Sequence, residues 1–207
     1  MVTKAYFTFI EYLQQSLLSF SFLLIIVLSV VAAYFPEIIA GAPTAFLFEV
    51  SLVAAFLVLA IRPLADLFPN VPWLRPLVIL RKGFGVFSSS IIVAFIFGNI
   101  MADAAGYFSS FFSLRHWSFE DYHILAPLAD VSALILLVTS NKFSKRVLGP
   151  NWKRIQKLAY VYFYAGAFYE YLVLKVDFAL WLALIVLFLS FCAFVFKRLP
   201  KEAPQPV

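Results

Sequence analysis

Among the carboxylates that interrupt apolar stretches of this chain, Asp130 and Glu170 stand out. Glu170 lies within LAYVYFYAGAFYEYLVL and Asp130 within ILAPLADVSALILLVT. A carboxylate inside a membrane span is costly unless it is neutral, paired or facing water, and it marks a functional site by default. Tyr160, Tyr162, Tyr164, Tyr169 and Tyr171 crowd the sequence around Glu170 and supply hydroxyls. Two chemistries are open to such a set. The carboxyls can sit near headgroup level, bonded to Tyr or Ser, and organise packing. Alternatively they share a polar pocket that binds a cation, relays protons or holds a quinone headgroup.

Few other residues suit chemistry. The only histidines are His116 and His123, seven residues apart in an aromatic, mildly acidic stretch. They read either as loop histidines or as a weak pair of metal or haem ligands. Cys192 is the sole cysteine, which excludes an internal disulfide framework, a cysteine-based zinc site and a c-type haem attachment motif. There is no His-Glu zinc motif, phosphate-binding Gly-rich loop, dinucleotide fingerprint or nucleophile elbow. No metal site is expected.

The elements that position these residues follow from composition. The chain has 207 residues, 64% hydrophobic and 13% charged, with mean hydropathy +0.95. A soluble domain is nearer 45–50% apolar and roughly 25% charged, so a soluble fold could not hide this surface. Net charge +5 would suit nucleic acid, but the basic residues lie between apolar spans, where anionic headgroups are the expected partner. Nucleic acid is excluded, and the lipid bilayer is the expected partner.

Six spans are expected, over 16–35, 44–61, 83–101, 124–139, 158–174 and 178–196, most of them near the roughly 20 residues that a crossing helix needs. Residues 1–15 mix apolar and polar types and read as an interfacial segment, 16–198 as the six-span domain, and 199–207 as a Pro-rich cytoplasmic tail. Ala32-Ala33 before Tyr34 makes a poor cleavage site, so the first span is expected to be retained. Arg62-Pro63 is expected to end the second span, and Asp103 the third. Pro69, Pro72 and Pro76 should prevent a regular helix between them. Ser88, Ser89 and Ser90 should permit close helix packing. Residues 103–123 should include a short amphipathic surface segment.

The stretch SNKFSKRVLGPNWKRIQK, 140–157, carries Lys142, Lys145, Arg146, Lys153, Arg154 and Lys157 and no acid. Such a loop belongs on the cytoplasmic side. Threading six spans from it puts only Arg115 and Lys175, of 16 Lys and Arg, on the other side. Both termini are therefore expected in the cytoplasm.

Two segments carry a family resemblance. Arg81-Lys82-Gly83-Phe84-Gly85, which opens the third span, resembles the basic start of the corresponding helix in the ferric-reductase-like transmembrane family. LVTSNKFSKRVLGPNWKRIQK, 137–157, is similar to that family's span ending in Thr-Ser, followed by a basic stretch, Leu-Gly and a Trp-basic-basic segment; Tyr160 and Tyr171-Leu172 continue the likeness. The likeness is closest to the bacterial branch, the haem-containing membrane subunits of periplasmic methionine sulfoxide reductase systems. It covers the third to fifth spans, about half the chain. It implies an all-α, six-helix bundle, b-type haem held by histidines, and electron transfer across a bacterial cytoplasmic membrane with a membrane or soluble redox partner. At the matched positions this chain has Phe95, Gln156 and Glu170 instead of histidine. Phe95 lies eight residues before Asp103, about 12 Å along a helix, and Glu170 five before Lys175, about 8 Å. Both are thus toward the non-cytoplasmic side.

The resulting expectation is a haem-less or haem-poor membrane partner or scaffold subunit with no predicted cofactor. The alternatives are an electron-transfer subunit holding haem b by unusual ligands, and a small ion or proton pathway through Glu170 and Asp130. Whether the chain is an enzyme is left open.

Overall fold

Long apolar runs make long helices here, because backbone facing lipid must satisfy its own hydrogen bonds. The computed structural model describes residues 4–198, and the expected 199–207 tail lies outside them. The helices are α1 (Lys4–Tyr34), α2 (Pro36–Ile39), α3 (Ala42–Leu67), α4 (Leu74–Leu77), α5 (Leu80–Phe111), α6 (Leu125–Thr139), α7 (Lys142–Leu148), α8 (Asn151–Ile155), α9 (Leu158–Leu172) and α10 (Asp177–Arg198), with a 3-10 turn at Glu120–Tyr122. Five segments are long and apolar enough to cross a membrane: Lys4–Tyr34, Ala42–Leu67, Leu74–Phe111, Glu120–Thr139 and Asp177–Arg198. The chain is an all-α, polytopic membrane protein.

Several boundaries differ from the sequence reading. The expected interfacial segment is continuous with the first span, since α1 runs unbroken from Lys4. Pro63 does not end the second span: α3 continues to Leu67 with Pro63 buried inside it. Its ring deprives only the Leu59 carbonyl of a donor, a loss tolerable so close to a helix end. Arg81 braces this turn by donating Nε–H to the neighbouring Val58 carbonyl at 2.7 Å. Asp103 does break α5, with φ −154° and ψ 89°. Its Oδ1 then accepts the Gly106 N–H at 2.9 Å and caps the short aromatic helix that follows. The basic stretch 140–157 is not an open loop but largely α7 and α8, turned at Gly149 with φ +51°.

Two packed groups form the interior. α3, α6, α9 and α10 share the larger, around Leu52, Leu59, Ala133, Phe163, Ala183 and Val186. α1 and α5 lie against one another in the same direction, Phe20 on Phe87 near one end and Ser29 Oγ–H on the Ala94 carbonyl farther along. They approach so closely that a Cβ on Gly98 would stand 2.5 Å from that of Ala32. With lipid as solvent, such close contact of small residues supplies much of the adhesion between helices.

Candidate functional site

α9 carries the central side chain. Of its tyrosines, Tyr162 is the buried one, 7% exposed, and it points inward to α3 and α5. Its hydroxyl lies 2.7 Å from Ser51 Oγ and 2.8 Å from Ser88 Oγ. The two serines are 3.2 Å apart, Ser88 Oγ–H reaches the Ser51 carbonyl at 2.7 Å, and Ser51 Oγ is 3.1 Å from the Ser88 carbonyl. These five contacts share three hydroxyls, each with one proton. The protons therefore have alternative placements, and the direction of the chain can reverse. Ser89 and Ser90 instead bond back to carbonyls of their own helix, Gly85 and Val86, the packing role expected for all three.

A cavity of about 210 Å³ lies on one side of Tyr162. Asp130 from α6 and Glu170 from α9 both line it, with Tyr169, Ser51 and Gly166. The structure thus brings together the two carboxylates that sequence placed 40 residues apart. Glu170 is 6% exposed, and its Oε2 has no hydrogen-bond partner among the described residues. Gly166 opens this space, since nothing lies within 4 Å of where its Cβ would stand. The polar walls leave room for several waters.

On the other side lies a larger cavity of about 920 Å³, and Tyr162 and Ala55 line it as well. Lys142, Lys145, Lys153 and Lys157 of the basic stretch face it, whereas Arg146 and Arg154 are exposed and do not contribute to its wall. Trp152 pins the stretch to α6 by donating Nε1–H to the Thr139 carbonyl at 2.9 Å, and Lys145 Nζ lies 5.5 Å over its ring.

The three positions matched to haem histidines are dispersed. Phe95 packs its ring on Phe48 at 5.1 Å, Gln156 donates its amide to Thr139 Oγ1 at 3.2 Å, and Glu170 lines the small cavity. That cavity falls below the roughly 300 Å³ at which small-molecule sites begin. Among the described residues no three His, Cys, Asp or Glu side chains converge as ligands. These residues do not fit a histidine-ligated haem between the helices. His116 and His123 both lie in the connection between α5 and α6. His116 stands 5.9 Å from the Phe111 ring, and burial, then His123, lowers its pKa from the ordinary 6.5.

Ser51 escaped the sequence reading. Its only signal was a hydroxyl in an apolar span, and nothing local tells such a serine from one that bonds its own helix. No family model matches the chain, and no solved structure does.

Proposed function

We propose that the protein is a proton pathway across a membrane, running from the Asp130–Glu170 cavity through the Tyr162 hydroxyl to the basic cavity. One observation carries this reading: Tyr162 lines both cavities, and its hydroxyl belongs to a cluster with reversible proton placement. Intramembrane carboxylates with hydroxyl or water neighbours are the usual parts of proton relays. Tyr162 can take a proton on one face and release another without moving aside. A hydrated metal cation would have to break the hydroxyl cluster and then enter a cavity walled by lysines. The cargo is accordingly a proton.

The same reading takes α9 as a sixth crossing. Lys157 and Tyr160 near its start face the basic cavity, and Glu170 near its end faces the small one. The basic end is cytoplasmic, by the distribution of Lys and Arg, and the bilayer is a bacterial cytoplasmic membrane. The ferric-reductase-like resemblance supplies the bundle type, and the bond from Gln156 to Thr139 gives a matched position a packing role in place of a ligand.

The test is discharge of an imposed pH gradient by purified protein in liposomes holding a pH-sensitive dye. Wild type should discharge it, and Tyr162→Phe, which keeps the ring and removes the hydroxyl, should not. Wild-type liposomes no faster than empty ones would return the chain to the haem-less membrane partner expected from sequence.

A further inference from the structure

We infer that the basic cavity is a binding site for a phosphate-bearing amphiphile, with the headgroup chemistry of an anionic phospholipid. Arg62, Arg81 and Lys82 reach it from α3 and α5, and four lysines of the α6–α9 connection face them. Asp66 is the one acid in the wall, and Lys197 holds it at 2.6 Å. Seven cations therefore share one hollow with no acid left to them among the described residues lining it. A cytoplasmic excess of Lys and Arg explains cations at this end of the molecule. It does not explain their convergence on a concavity, where they repel one another.

The wall specifies the occupant further. Val58, Leu59 and Phe194 give it an apolar side, so the ligand has an apolar body as well as an anionic end. Arg81 is oriented by its bond to Val58, which presets a planar fork for oxyanions. Cations on opposite walls call for an anion with several acceptor oxygens, which a phosphate ester has. Basic pockets between membrane helices on this side commonly take such headgroups. The phosphate could belong to a bilayer lipid or to a soluble ester, and the apolar wall favours the lipid.

The experiment uses the full chain in neutral detergent. Phosphatidylglycerol, phosphatidylcholine or inorganic pyrophosphate is added, and the melting midpoint and the bound mass by native mass spectrometry are read. Phosphatidylglycerol should raise the midpoint and stay bound, and phosphatidylcholine should do neither. Pyrophosphate acting as well as the lipid would assign the same site to a soluble ester. The paired exposed variants K145Q/K153Q, inside the cavity, and R146Q/R154Q, outside it, remove equal charge from the same stretch. The first pair should weaken binding at least about tenfold and the second less than about threefold. Equal losses from both pairs, or no response to any phosphate probe, would overturn the inference. Flux through Tyr162 has no bearing on either result.

Discussion

The two cavities beside Tyr162 are lined by ionisable groups of opposite kind under opposite constraints. The large one gathers seven cations besides the paired Lys197 at an open end of the bundle, where water screens them and each contributes little to stability. The small one holds two carboxyl groups in the apolar interior, and Glu170 Oε2 has no protein partner there among the described residues. An unbonded polar atom in such a place costs on the order of 1–3 kcal/mol. Charge count and energetic weight therefore run in opposite directions across the molecule. The lysines cost little where they stand, whereas the buried Glu170 carboxyl must be met by a proton or by water.

Three changes test that contrast. The largest effect is expected from Glu170→Gln, which keeps the shape and removes the exchangeable carboxyl proton. Gradient discharge in liposomes should fall on the order of a hundredfold, the usual worth of a positioned proton-transfer group. The melting temperature should hold. Discharge that survives would make the buried carboxyl a packing feature and collapse the contrast.

A smaller effect is expected at Gly166, which faces open space. Gly166→Leu should fill the small cavity and slow discharge about tenfold, equivalent to about 1.4 kcal/mol on the barrier. Gly166→Ala should leave flux intact and raise stability by up to about 1 kcal/mol through helix propensity. A leucine that leaves flux unchanged would show that protons do not use this cavity.

The smallest effect belongs to His116. Its folded-state pKa is depressed, so the unfolded imidazole takes up a proton first as pH falls. The resulting stabilisation is present above the ordinary value of 6.5 and is lost as pH drops through the lower folded-state value. Hydrogen-exchange protection in residues 112–124, corrected for the intrinsic pH dependence of amide exchange, should fall modestly between about pH 7.5 and 5.5, and His116→Asn should flatten that dependence. An unchanged pH profile in the variant would remove His116 as the cause.

Sequence was most informative where one residue's own chemistry decides the outcome. Asp103 ends a helix and caps the next because its carboxylate can serve the Gly106 N–H, and Glu170 and Asp130 declare themselves by being charged among apolar neighbours. It was least informative where a partner decides. Pro63 looks like a helix terminator until it is seen buried inside α3, and Ser51 looks like Ser89 until Tyr162 arrives from 111 residues away. Four lysines and two arginines are equivalent in the basic stretch, and only the geometry of α7 and α8 separates those facing the cavity from those facing outward.

The unequal lengths of α1 and α9 have a consequence for the surrounding lipid. α1 has 31 residues, about 46 Å of helix, and α9 has 15, about 22 Å, against a hydrocarbon core of about 30 Å. α1 packs on α5, whereas α9 packs on α3, α6 and α10, so the two lie on different flanks. On one flank the bilayer meets a helix that must lean over or protrude. On the other it meets one too short to span unless the leaflets draw together. With α9 taken as a sixth crossing, as proposed, the two flanks differ in helix length, and the protein should favour the boundary between thicker and thinner patches of membrane.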